Sequence, residues 1–586
     1  MNYNLNNTDT TEQQHTSGKR LLKLLAYIKT EHRALIVVFG IMIISQGLSI
    51  TVPFVVGYTI DHYVATKDFS GILKYAGILL GMFTVNLAFS YWQTKMMGSV
   101  GQRMLYMLRN ALFVKIQELP IAFFNQNKTG DLISRINNDT DKMNQFFSQS
   151  LVQFASGIMS MVGAGIFLLS INFKLGIATL APAVFLLLFT RVLSPLVKKR
   201  NAASMKSTGS MSAEIQESLS NFKVIIAFNR RDYFRKRFDE VNQENYGTAK
   251  SAGVLNNIFT PVFSLCSQIA MLAVLAYGIY LISTGEFTVG LLISYLSFSS
   301  YFYNPIRQLA ILWTNFQMAM AGWDRISQIL ELESDLKVLP AGPVKENAPL
   351  ISFQHVHFGY PGGKEILHNV SFNLEQGKTY ALVGPTGGGK TTTASLIARL
   401  YDPTAGEVLL NGRDIRSYTP EERTRKIGFI LQEPFLFSGT IQENIVYGNP
   451  VYADYTAEQL DAVMEKAGLN TLLARFEDGL ATNIVSGNDG ISLGQKQLIA
   501  FMRAVLRDPD LLVLDEATAN IDTVTEQQLE AVLQKLPAHT TRVIIAHRLN
   551  TIENADEIFF VNNGEIARAG SFSHAMNMLV QHERNT

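Results

Sequence analysis

Up to Trp323 the chain is dominated by long uncharged apolar runs; beyond it, short apolar segments alternate with charged stretches of helical period. The runs cover Ala34–Ile60, Tyr75–Thr94, Met143–Phe173, Leu175–Thr190, Ser251–Gly285 and Phe287–Ile306. A bilayer core about 30 Å thick is crossed by about 20 apolar helical residues, so this pattern predicts six transmembrane helices. Buried helices of a large soluble protein seldom need to be this long. The fourth run stops early at Arg191, which can reach back to the interface from a helix end. "RLLKLLAYIK", Arg20–Lys29, mixes leucines with bases and reads as an interfacial helix before the first span.

The polar intervals set the orientation. Lys95–Lys142 and Arg191–Lys250 carry 7 and 12 Lys or Arg, whereas the short connections hold only Lys67, Lys74 and Lys174. Basic intervals stay on the cytosolic side, so both termini are expected there, in a multi-pass protein of the cytoplasmic membrane. Both intervals keep a helical period, which extends the helices into the cytosol. Pro, Gly, Asn or Ser interrupt it at Pro120–Arg135 and Glu214–Asn229, either as short transverse helices or as ordinary helix-to-helix turns. The expected organisation is a disordered cytosolic tail over 1–18, an all-α transmembrane domain over 19–323, a linker over 324–349 and an α/β domain over 350–584.

The second half carries recognisable chemistry. In "YALVGPTGGGKTTTASLIARL" an apolar strand leads through Gly384, Pro385, Thr386, Gly387, Gly388 and Gly389 into Lys390, Thr391, Thr392 and a helix. Glycines let backbone N–H groups curl around a phosphate, and the helix directs its positive end at it, so 350–584 is expected to be an α/β P-loop NTPase domain. Lys390 adds a charge for the β- and γ-phosphates of ATP, and Thr391 a hydroxyl for Mg2+. A second strand, "LLVLDE", ends in Asp515, suited to Mg2+ through its water shell, and Glu516, suited to take a proton from an attacking water. His547 closes another apolar strand and is placed to contact the γ-phosphate; Gln432 sits at a strand exit, where its amide can bind Mg2+ or water. Tyr360, in "VHFGYPGG", can stack on adenine or serve as a sheet aromatic.

Composition narrows the reading further. At 586 residues the chain holds more than one domain. Its 50 basic and 49 acidic residues leave a formal charge of +1, with no global attraction to nucleic acid, so no nucleic-acid partner is expected. Cys266 is the single cysteine, which excludes an intrachain disulfide and disfavours a cysteine metal site.

Together these residues resemble the ATP-binding cassette (ABC) transporters, in particular exporters that carry six membrane helices and a nucleotide domain in one chain. In family terms "GPTGGGKTT" is similar to Walker A, "LLVLDE" to Walker B, Gln432 to the Q-loop glutamine, His547 to the switch histidine, Tyr360 to the adenine-stacking aromatic and Asp522 to the D-loop aspartate. "ISLGQ" stands where the family has Leu-Ser-Gly-Gly-Gln. The resemblance implies that two nucleotide domains close head to tail on two ATP molecules, each held by one P-loop and the opposite signature. It also implies that the segments near Phe123–Arg135 and Glu214–Asn229 are coupling helices docking on nucleotide domains.

Leu493 departs from that pattern, between the retained Ser492 and Gly494–Gln495. A side chain makes positive φ unfavourable, which alters the signature; with negative φ its amide still points at phosphate. Intact Glu516 and His547 beside an altered signature resemble one member of the heterodimeric bacterial multidrug exporters. That resemblance implies a non-identical partner with a degenerate ATP site and a regular signature. The expected activity is ATP-driven export of hydrophobic or amphipathic compounds across the lipid bilayer; the alternatives are a homodimeric lipid or drug flippase, or an ATP-gated channel or sensor. Tyr301, Tyr303, Asn304 and Arg307 are candidates either for the substrate cavity or for packing between helices.

Overall fold

The computed structural model describes residues 3–5, 29, 31–342, 344, 347–485, 491–515, 523–545, 552–570, 573–574 and 577. The chain divides into two compact units. One comprises 8–117 and 130–331; the other joins 1–7 and 118–129 to everything from Leu332 onward.

The first unit is helical. Among the described residues, five helical segments are long and apolar enough to cross a membrane: His32–Val64, Phe69–Gln117, Thr129–Ile171, Phe173–Ser220 and Arg231–Ser283. The sixth expected run falls in the helix Val289–Leu330, which is not among those five. That helix lies tightly against the first: Gly57 and Gly290 meet where a Cβ on either would collide with the other's backbone carbonyl. Ser294 Oγ donates to the Pro53 carbonyl at 2.7 Å, and Asp61 accepts from the Gly290 N–H at 2.7 Å. Small residues permit this close approach of membrane helices, and polar groups fasten it.

At the two interruptions the long helices give way to short ones, Ile121–Gln126 and Phe222–Ala227. Asn127 ends the first in an extended conformation, and Asn229 follows the second with φ +51°. Helix Val289–Leu330 also runs through the first seven positions expected for the linker. The linker residues after it are tied down by Arg399, which donates to the Lys337 carbonyl at 2.8 Å, and by the Leu339 N–H, which donates to the Arg416 carbonyl at 2.9 Å.

The second unit contains an antiparallel sheet of β1 (Ile351–Gly359), β2 (Glu365–Leu374), β4 (Ala405–Leu410) and β5 (Arg413–Asp414) in the order β2-β1-β4-β5. A six-stranded sheet combines β3 (Thr379–Val383), β6 (Ile427–Ile430), β9 (Leu511–Asp515), β10 (Thr541–Ile545), β11 (Glu557–Asn562) and β12 (Glu565–Arg568), while β7 (Gly439–Thr440) and β8 (Asn483–Ile484) form a separate antiparallel pair. Their order is β12-β11-β3-β10-β9-β6, parallel except for β12. β3 and β9 are buried along their whole length, as strands covered on both faces require; this is why they read as unbroken apolar runs rather than alternating ones. Open parallel sheets bind ligands beyond the carboxyl ends of their strands, where the loops after β3, β9 and β6 emerge.

The expectation of disorder does not hold for Tyr3 and Leu5, which are buried in this second unit.

Candidate nucleotide-binding site

The loop leaving β3 needs conformations that only glycine adopts easily. Gly384, Gly387 and Gly389 have φ of +150°, +83° and +115°. A Cβ on Gly384 would run into the Val561 carbonyl, and one on Gly388 would come within 2.7 Å of it. The loop therefore lies against β11 and leads into helix Lys390–Ile397. Lys390 is buried, and its Nζ donates to the carbonyls of Gly384 and Pro385 at 2.9 and 3.0 Å. The ammonium is thus held over the mouth of the loop.

Thr391 opens onto the other half of the site. Its Oγ1 donates to Asp515 Oδ1 at 3.3 Å, and Asp515 is almost fully buried at the end of β9. A hydroxyl beside a carboxylate at a phosphate loop is a hard-oxygen donor pair, the type Mg2+ prefers when it keeps waters and nucleotide phosphates as its other ligands. These residues fit Mg2+ on that chemistry. Gln432 lies exposed two positions beyond the end of β6. Glu516, Asp522 and His547 lie outside the described residues; β9 and β10 end together, with Ile545 paired to Asp515, so the chain leaves both strands at this same edge.

Tyr360 lies beside the start of helix Lys390–Ile397. Its hydroxyl is 3.3 Å from Thr392 Oγ1, and its ring meets that of Tyr401 edge-on at 5.1 Å. Tyr401 accepts a hydrogen bond from Asn125 Nδ2 at 2.8 Å, and burial pushes its phenol pKa up. Asn125 belongs to the short helix Ile121–Gln126, so this helix touches the aromatic pair directly. Neither Tyr401 nor Asn125 stands out in the sequence: both depend on a contact between residues 276 positions apart.

The signature segment resolves the question of Leu493. Ser492 caps helix Leu493–Val505 with φ −64° and ψ 156°; its Oγ accepts from the Gln495 N–H at 3.1 Å, while Gln495 Oε1 accepts from the Ser492 N–H at 3.0 Å. This reciprocal cap is typically worth about 1 kcal/mol. Leu493 is the first helical residue, is not among the residues of positive φ, and turns its side chain outward, 42% exposed. Its amide therefore remains part of an open helix N-terminus. Leu493→Gly should leave ATP turnover within about threefold of the parent, since the exchange alters helix stability by roughly 0.5–1 kcal/mol; a steady-state ATPase assay showing a tenfold change would refute this.

In the helical unit, Tyr301 lines a cavity of about 310 Å³ together with Gln46, Ser49, Gln153, Ser160 and Gln308. None of its described lining residues carries a charge. Tyr303 is elsewhere: it is buried beside Cys266 and donates to the Thr179 carbonyl at 2.7 Å, so it packs between helices. Asn304 is exposed and does not line this cavity. The Arg307 side chain lies outside the described residues.

Comparison with known proteins agrees with this geometry. Residues 35–306 match the ABC transporter transmembrane region and 367–519 match the ABC transporter domain. The Bacillus subtilis uncharacterized ABC transporter ATP-binding protein YfiC is 33% identical over 94% of this chain and 91% of its own length. The chain belongs to the ABC transporters. This ABC transporter is a multi-pass membrane protein whose ATP-hydrolysing domain drives hydrophobic or amphipathic substances across a membrane. It is also 31% identical, over 95% of its length and 93% of the relative, to the multidrug resistance ABC transporter ATP-binding and permease protein of Lactococcus lactis subsp. cremoris. Its fold is shared with a bacterial Atm1-family ABC exporter solved with ATP bound, at a TM-score of 0.77, 24% identity and coverage of 94% and 96% of the two chains.

These similarities correct the expectation of a heterodimeric exporter with a degenerate partner. The ABC transporter matches chains that carry the permease and ATP-binding parts together, none described as one of an unlike pair. The physical ground for an unlike partner also falls away, because Leu493 leaves the signature helix capped and its N-terminus open.

Proposed function

We propose that this ABC transporter is an exporter of the plasma membrane that works as a homodimer, with two equivalent ATP sites. The observation that carries the reading is the capped, exposed start of helix Leu493–Val505: a second copy of the same chain can present it to the ATP held on this chain's P-loop. The exposed apolar side chains of Phe222, Val224 and Ile226 on the second short helix support the same arrangement, as a surface for a nucleotide domain. In this reading Val289–Leu330 supplies the sixth span, its contact with the first helix at Gly57 and Gly290 being of the kind that joins membrane helices. The termini face the cytosol.

In each site Tyr360 stacks on adenine and the segment Gly384–Thr392 surrounds the phosphates. Lys390 exchanges its two carbonyl contacts for phosphate oxygens. Thr391, Asp515 and Gln432 would hold Mg2+, directly or through water, and the ion would supply charge neutralisation for the transferred phosphoryl group. Glu516 takes the proton from the attacking water, His547 orients it, and Asp522 borders the partner's site. ATP favours the closed pair only through its higher affinity for that state; hydrolysis removes the preference, and the membrane cavity reopens inward. The amides, hydroxyls and tyrosine among its described lining residues, beside Ile50 and Gly157, suit amphipathic compounds with hydrogen-bonding head groups.

Native mass measurement of the untagged complex tests the pairing. Two identical chains are expected, and the presence of a second, unlike chain would overturn the reading.

A further inference from the structure

Residues 3–5 make contacts that a polar tail has no reason to make. The Tyr3 ring is buried edge-on against Phe123, with centroids 6.5 Å apart. Its hydroxyl donates to the Glu333 carbonyl at 3.1 Å and accepts from the Asp335 N–H at 2.9 Å. Burial, reinforced by Asp335, pushes this phenol up to about 12, so it stays protonated and able to donate. The backbone is read as closely as the side chain. Gln126 Oε1 accepts from the Tyr3 N–H at 2.8 Å. Asn127 Oδ1 accepts from the Leu5 N–H at 3.1 Å, while its Nδ2 donates to the Tyr3 carbonyl at 2.9 Å and to the Phe123 carbonyl at 2.8 Å. One buried amide therefore serves residues i and i+2 of the segment, as a neighbouring strand would, and Leu5 is itself buried.

The groove that does this is built from two places. One is the helix Ile121–Gln126 with Asn127; the other is Glu333–Asp335, just past the end of helix Val289–Leu330. The same short helix reaches the nucleotide site through Asn125, Tyr401 and Tyr360, the last beside Thr392. Every one of these residues lies within the second compact unit.

We infer that Tyr3–Leu5 is an intrachain peptide ligand, and that its groove is a binding site for a Tyr-x-Leu segment whose occupancy positions the Tyr401–Tyr360 pair for ATP. A filled groove fixes the short helix on both sides, against the linker by the Tyr3 hydroxyl and against Tyr401 by Asn125. An empty one leaves the Asn127 amide and the Gln126 carbonyl oxygen without these backbone partners, and frees the helix to shift. Packed side chains and hydrogen bonds with two arrangements are the means by which one site biases another. The inference rests on the nucleotide site proposed above, and the closing experiment separates the two.

The full-length protein in lipid nanodiscs carrying Tyr3→Ala with Leu5→Gly should show an ATP KM raised about fivefold or more, with kcat changed far less. Tyr3→Phe, which keeps the ring and loses both hydroxyl bonds, should fall between. A fluorescent peptide with the sequence of residues 1–7 should bind the double variant saturably and bring its KM back down. A peptide with Tyr and Leu exchanged should do neither, and Asn127→Ala should abolish binding. Absence of saturable peptide binding, or binding that leaves KM unchanged, would overturn the inference. Tyr360→Ala is the separate control: if it leaves the ATP KM of the otherwise unchanged chain intact, the adenine site is misplaced, and peptide binding to the double variant still decides whether the groove exists.

Discussion

Lys390→Ala should lower ATP turnover by about 100-fold or more, the loss usual when a preorganised charge facing the transferred group is removed. Lys390 is the cation that the structure places at the mouth of the phosphate loop, between the carbonyls of Gly384 and Pro385. Truncation to Ala removes its charge without altering the loop's path, which is set by Gly384, Gly387 and Gly389 and by the contact with Val561. Lys390→Arg should not rescue, because a planar fork cannot replace a compact ammonium seated between two carbonyl oxygens. Steady-state ATPase measured beside thermal unfolding separates this loss from misfolding. A Lys390→Ala protein keeping more than about a tenth of parental turnover would contradict the placement, since a charge of this kind accounts for a larger factor.

Arg135→Ala should have the largest effect on stability. Arg135 is 3% exposed, donates through Nε to Asp131 at 3.0 Å, and through Nη1 to the Arg325 carbonyl and Gln328 Oε1 at 2.8 and 2.9 Å. Asp131 also accepts from Arg325 at 2.6 Å, and the fully buried Asp139 is paired with Arg325 at 3.2 Å and Lys142 at 2.8 Å. Removing one member of such a network strands its partners in a medium that solvates them poorly, at about 3–5 kcal/mol. The network ties the start of segment Thr129–Ile171 to the end of helix Val289–Leu330, so its loss should loosen that end of the helical unit first. Arg135→Lys keeps the charge but makes fewer bonds, and should recover part of the loss. Denaturant midpoints of the purified variants provide the check; a shift for Arg135→Ala equivalent to less than about 1 kcal/mol would mean that the partners remain satisfied without it.

Much of the candidate site is legible because its chemistry is local. The phosphate loop needs its glycines, lysine and threonine within nine consecutive positions, and its flanking strand and helix are adjacent in sequence. Asp515 is legible for a related reason: a strand covered on both faces is an uninterrupted apolar run, so a carboxylate at its end is conspicuous. Leu493 is different. Its meaning turned on one φ angle, and that angle follows from the Ser492–Gln495 cap, which makes 493 the first residue of a helix rather than a left-handed loop position. The heterodimer expectation was built on that residue, and fell with it.

Tyr303 and Tyr301 show the same limit in the membrane region. Two positions apart on one helix, they point about 200° apart around its axis, one toward a polar cavity and the other into packing against Thr179 and Cys266. In an apolar segment both read alike.

Hydrophobic period and local motif were enough to establish that this chain alternates between two solvents, that its first part is helical and membrane-spanning, and that its second part is an α/β domain holding phosphates at the edge of a parallel sheet. These follow from interactions between near neighbours in sequence, where pattern and structure are the same information. Which distant residues meet was decided by packing: Asn125 on Tyr401, Arg135 on Arg325 and Gln328, and Tyr3 in a groove made by residues 123–127 and 333–335. Such contacts bring together groups more than a hundred positions apart, and their stability depends on a geometry that no short stretch of the chain encodes.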